Sequence, residues 1–272
     1  ILNLFFVIVC KMAADGVALA SIISQYVSAV LVLLHLSRLE GCCRFSLRGL
    51  RIHPEEAGRI LQLGIPAGIQ NMIFAIANLF IQAGVNSFDS TMVSGNSAAA
   101  NVDTVIYNVM AAFYTACATF MGQNWGAGKK ARMKQSYLIS LLYSFLIAAV
   151  FGVAFFLAGE PVLYIFTNSA SVVEAGMQRM KIMCFSYAIS AFMDCTIAAC
   201  RGLGRTVVPT IIVIMGSCVF RVIWVYTIFA HFHTIPSLYL LYAFSWTLTA
   251  IAEIAYFLPC FRHLHVGEPE TT

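Results

Sequence analysis

Four ionisable side chains, Asp103, Asp194, Arg221 and Glu253, fall inside long apolar stretches of this 272-residue chain. At the centre of a bilayer such a group costs about 2.5–3.5 kcal/mol on insertion scales, so each needs a chemical or structural reason. Asp194 lies in "SYAISAFMDCTIAACRG", where Tyr187, Ser190, Asp194 and Arg201 share one helical stripe. It stands about 10 Å of helix rise from Arg201. A carboxylate there can bind a cation or exchange a proton; the alternative is a structural partner for a helix end. Glu253 belongs to a stripe with Tyr242, Trp246, Thr249 and Tyr256. Aromatic rings with one carboxylate suit a flat organic cation, although such stripes also serve plain helix packing. Arg221 sits mid-span and needs an anion or carbonyl partner, which reads as a structural or gating pair. Asp103 falls near the outer end of its span, where charge is cheaper.

Amides form a second set. Asn71, Asn78 and Gln82 make one stripe, and Asn101 and Asn108 share a face with Thr115, with Asp103 nearly opposite Asn101. Such groups line a wet cleft or bond helices together. Chemistry of other kinds lacks its residues. "GQNWGAGKKAR" (122–132) resembles a phosphate loop, but Gln123 stands where a Walker loop needs its first glycine and Lys130 where it needs a hydroxyl. There is no H-E-x-x-H or G-x-S-x-G. The nine cysteines include no C-x-x-C, and Cys117, Cys184, Cys195, Cys200 and Cys218 lie in apolar runs as small hydrophobes. His231, His233, His263 and His265 fall at loops or span ends with no ligand spacing.

The elements that must position these groups are membrane helices. Hydrophobic residues make up 60% of the chain, charged residues 10%, and mean hydropathy is +0.84. Soluble domains carry about 25% charged residues. Apolar runs predict a partial span at 1–10 and full spans near 16–37, 60–86, 97–121, 136–158, 176–200, 207–230 and 239–259. Ile1 opens inside an apolar run with no basic leader or cleavage site, so the expectation is a piece of a longer chain. Basic residues cluster in alternate loops: Arg38, Arg44, Arg48, Arg51 and Arg59; then Lys129, Lys130, Arg132 and Lys134; then Arg201 and Arg205; then Arg262. The intervening loops "NSFDSTMVSG", "GEPVLYIFTNSASVVEAG" and "HFHTIPSL" have none. The positive-inside rule places the basic loops, Cys42, Cys43 and the C-terminus in the cytoplasm of a multi-pass cell-membrane protein. The net charge of +4 reflects this bias and implies no nucleic-acid partner.

The motifs resemble those of a known family. "FMGQNWGAGKKAR" is similar to the cytoplasmic loop of multidrug and toxic compound extrusion (MATE) transporters, with Gly122, Gln123, Asn124, Gly126 and Gly128 carrying the likeness. "LGIPAGIQNMIF" (63–74) resembles the start of that family's seventh helix. "CRGLGRTVVPT" (200–210), with Arg201, Gly202 and Gly204, resembles its turn between helices ten and eleven, and "FRVIWVYTIF" (220–229) its eleventh helix. "ILNLFF" and "GVALASIISQ" resemble its fifth and sixth. The resemblance implies an all-α polytopic bundle: the end of an N-terminal bundle (1–37), a cytoplasmic linker (38–59), a complete six-helix C-terminal bundle (60–259) and a cytoplasmic tail (260–272). Helices one to four would be supplied by preceding sequence. It implies a secondary exporter of small organic compounds, cationic or amphipathic, exchanged for H+ or Na+ across the bilayer without a cofactor. The acidic positions that some members of the family carry in helices seven and ten are here Phe74 and Ser190, so their sodium site does not transfer whole, and other branches use an Asp on helix one. The rival within the superfamily is a flippase for lipid-linked sugars, which would show several deep arginines; Arg221 is the one counted here. A non-transporting sensor or an intramembrane enzyme is the rival from another class.

Overall fold

The computed structural model describes residues 2–12, 14–40, 44–46, 49 and 51–264. Cys42, Cys43 and Arg48 of the expected linker, and His265 with the rest of the tail, lie outside the described residues. The described residues form no strand. A short helix α1 (Leu2–Leu4) runs into a π-helical stretch, Phe5–Val9. Then come α2 (Ala14–Arg38), α3 (Pro54–Val85), α4 (Ser90–Gly126), α5 (Lys130–Leu163) and α6 (Ala170–Gly202). The span Val207–Phe232 is α7, and Ile235–Arg262 is α8. The seven helices α2 to α8 are long and apolar enough to cross a membrane. They match the predicted spans in number and order and run several residues further at most ends.

Local chemistry sets those ends. Asp89 caps α4 by accepting from the Met92 backbone N–H at 3.1 Å, and Thr234 and Ser237 form a reciprocal capping box at the start of α8. Gly128 and Gly204, each at φ +72°, close the turns after α4 and α6 in the left-handed region that a Cβ disfavours. Around the end of α4, two glycines read from the sequence as turn positions, Gly126 and Gly128, behave differently. Gly126 ends α4 in helical geometry, and a Cβ there would meet nothing within 4 Å. Gly128 alone makes the turn.

The chain divides into two compact units, Ile1–Gly58 and Arg59–Thr272. In the first, α2 is exposed along nearly its whole length and buries Gly16 and Ala20. In the second, α6 is the central element. Two thirds of its apolar core (67%) is buried, against 17% for α5. Small residues make this possible, because between membrane helices the attraction is packing at close approach. Gly95 of α4 abuts Gly176 of α6, Gly122 abuts the Gly202 carbonyl, and Gly152 of α5 sits against the Cys184 carbonyl. On the outer face of α5, Leu142, Leu146, Val150, Val153 and Leu157 stay exposed, as lipid-facing side chains do. Lys130, at the start of α5, donates to the carbonyls of Arg262 (3.0 Å), the last residue of α8, and Leu264 (2.9 Å), just beyond it. Trp125, before the α4–α5 turn, approaches Gly204. The three basic turns of this unit therefore gather at one end of the bundle.

Candidate functional site

A cavity of about 520 Å³ opens inside the second unit, between α3, α4, α6, α7 and α8. Its ionisable lining is Asp103, Arg179, Asp194, Arg201 and Arg221, and its aromatic lining is Phe74, Tyr107, Tyr114, Tyr242 and Trp246. Asn71, Asn78 and Gln82 of α3 reach it, the first of the two roles open to their stripe, joined by Gln70. Asn101 and Asn108 do not: both are exposed on another side of α4, and the Asn101 amide donates to the Ser97 carbonyl at 3.2 Å.

Two deep arginines define the cavity. Arg179 of α6 is a residue the sequence reading missed. It pairs with Asp103 of α4, donates from Nη1 to the Asn96 carbonyl (3.0 Å) and side-chain Oδ1 (2.6 Å), and lies 5.5 Å from the Tyr239 ring centre. Tyr187 donates its hydroxyl to the other Asp103 oxygen, and Tyr239 donates to Asn96 Oδ1 at 2.8 Å. Asp103 is thus buried at 7% exposure inside a network rather than at a cheap outer position. The opposite charge on the neighbouring helix was the available signal.

Arg221 of α7 is buried at 2% exposure with a different set of partners. Its guanidinium lies 4.6 Å from the ring centre of Tyr242, 5.6 Å from Phe74 and 5.7 Å from Trp246. Nε donates to Ser245 Oγ at 3.2 Å, and the buried Nη2 has no partner. The anion or carbonyl partner expected for Arg221 is absent among the described residues. Two π-helical stretches, Ile214–Val219 and Val225–Phe229, bracket the turn Phe220–Trp224 that carries it. Such stretches shift the helical register and recur at functional sites.

Asp194 lines the cavity half-buried, within electrostatic reach of Arg201 and Arg221 but with no hydrogen bond to a described residue. Arg201 donates from Nη2 to Gln70 Oε1 at 3.1 Å, which also accepts from Thr210 at 3.2 Å. Tyr187 and Ser190 share the interior side with Asp194 but are covered: Ser190 bonds the Tyr187 carbonyl, and the Tyr187 ring packs on Tyr107 and Trp246. The Glu253 stripe splits. Tyr242 and Trp246 reach the cavity, whereas Glu253 is fully buried below it with neither carboxylate oxygen partnered. Among the described residues no three His, Cys, Asp or Glu side chains converge as metal ligands. The signature residues Gly122 and Gly202 serve the close α4–α6 crossing, and Gln123 and Asn124 lie at the end of α4, away from the cavity.

This geometry has relatives. The chain is 28% identical over 216 residues to "Probable multidrug resistance protein NorM" of Thermotoga maritima, covering 74% of this chain and 43% of that protein. It is 28% identical over 182 residues to "Probable multidrug resistance protein YpnP" of Bacillus subtilis, covering 67% and 40%. The matched stretch therefore spans less than half the length of these relatives. Among solved structures, an outward-facing multidrug resistance MATE family transporter of the MOP superfamily superimposes with a TM-score of 0.85. That match runs at 19% identity over 96% of this chain and 60% of the other, a likeness of fold. The sequence model of the MatE family matches residues 66–227, more than half of the chain, and the chain belongs to that family.

Proposed function

We propose that the chain contributes one bundle to a secondary transporter that exports small organic compounds by alternating access, in exchange for H+ or Na+. The observation that carries this reading is the mid-span cavity, where ionisable and aromatic side chains meet inside a helix bundle. Relatives longer than this chain, named for multidrug resistance and matched over less than half of their length, support a second bundle supplied by further helices of a longer protein. Asp194 is the coupling candidate, because it is the cavity carboxylate without an ion-pair or hydrogen-bond partner among the described residues. The basic turns and the C-terminus face the cytoplasm of a cell membrane in this reading.

One observation favours the flippase as a second reading. Three arginines, Arg179, Arg201 and Arg221, line the cavity where sequence reading counted one. The same count weakens the case for a cationic substrate.

The test is gradient-driven efflux from vesicles holding the full-length protein. An imposed pH or Na+ gradient should drive export of ethidium or fluorescein, and Asp194→Asn should abolish the coupling while leaving membrane insertion intact. Unchanged coupled efflux in Asp194→Asn would remove that residue from the role. Cysteine at position 129 should label from the cytoplasm and cysteine at 169 from outside; the reverse pattern would overturn the orientation.

A further inference from the structure

Buried charges in a bilayer are retained against their cost when something compensates them. Arg179 is compensated by Asp103. Arg221 has Asp194 within electrostatic reach but no such contact: no carboxylate forms an ion pair with it among the described residues, its single hydrogen bond goes to a neutral hydroxyl, and Nη2 is buried and unpartnered. Ring faces of Tyr242, Phe74 and Trp246 hold the guanidinium in place without neutralising it. Those three side chains line the same cavity wall as Arg221.

We infer that Arg221 and its three rings form a receptor for the carboxylate or phosphate of a flat organic anion. A planar guanidinium matches a carboxylate or phosphate with two parallel hydrogen bonds, and aromatic walls hold the flat remainder of such a molecule. Tyr107, edge to face on Trp246 at 6.2 Å, adds a further ring to the cavity lining. Asp194 on the same lining repels anionic groups placed near it, which leaves the guanidinium as the place for the anionic end. The inference rests on the transport reading, because it names the substrate class for that cavity.

Binding of fluorescein, an aromatic carboxylate, and of ethidium, an aromatic cation, should be measured on the purified full-length protein in maltoside detergent. The expected result is saturable fluorescein binding displaced by benzoate, weakened about 10-fold or more in Arg221→Gln and by less in Arg221→Lys, which keeps the charge but loses the paired hydrogen bonds. Wild-type protein decides the matter even where Arg221→Gln fails to fold: ethidium bound and fluorescein unbound overturns the inference. Displacement of fluorescein by phosphatidylglycerol but not by benzoate also overturns it, in favour of a lipid headgroup. Gradient-driven ethidium efflux without fluorescein binding leaves the transporter and sinks the anion receptor. Arg221-dependent fluorescein binding without any gradient-driven efflux does the reverse.

Discussion

Arg179 and Arg221 are buried to almost the same degree in one cavity, yet they are built differently. Around Arg179 the fold supplies a carboxylate, a carbonyl and an amide, and Tyr187 and Tyr239 complete the network from two further directions. Around Arg221 it supplies ring faces and a single hydroxyl. Each has one buried nitrogen without a partner, so the difference is the ion pair: a paired charge ties helices together, and an unpaired one is held ready for something that arrives. Burial alone does not separate structure from function, but the inventory of partners does.

The largest test of this contrast is to break the satisfied side. Arg179→Met leaves Asp103 buried without its cation and should cost about 3–5 kcal/mol, read as thermal unfolding in detergent. The double variant Arg179→Met with Asp103→Leu should recover most of that loss, since a buried pair is replaceable by apolar residues of similar volume. A double variant as unstable as the single one would show that the network, not the charge, holds the helices. Ser245→Ala comes next. Removing the acceptor of Arg221 Nε should cost about 1 kcal/mol. The smallest stability effect belongs to Arg221→Met, expected within about 1 kcal/mol of the parent or above it, because its one hydrogen-bond partner, the Ser245 hydroxyl, still donates to the Tyr242 carbonyl and no charge is left unpaired. A loss as large as that of Arg179→Met would erase the difference between the two sites.

Helices and their order were legible because apolar runs of membrane length tolerate little ambiguity, and Asp89, Thr234 and Gly128 mark ends by chemistry that depends on neighbours along the chain. The α3 amide stripe and Asp194 were legible for the same reason: helical spacing puts them on one side. What spacing does not carry is which neighbouring helix faces that side. Asp103 looked cheap because its depth was judged on α4 alone, and Arg179 escaped notice beside Lys181 at the start of its apolar run. Glu253 shares a stripe with two cavity residues, but α8 passes from the cavity into the packed region near Cys200 along its length, so its lower half is covered. Gly126 and Gly128 are two residues apart and look equivalent in sequence; φ distinguishes them.

The π-helical stretches of α7 have a consequence for insertions and deletions. A turn bonded from i to i+5 carries a residue more than the α-helical rise requires. Loss of one residue within Ile214–Val219 can return that stretch to ordinary spacing, with Arg221 and the chain beyond it still in register. The same loss in the middle of α6 would swing every later side chain by about 100°, tearing Asp194 from the cavity and Gly202 from its seat on α4. Natural length variation in this bundle should therefore collect in α7, at the helix that carries the unpaired cation, and avoid the central one.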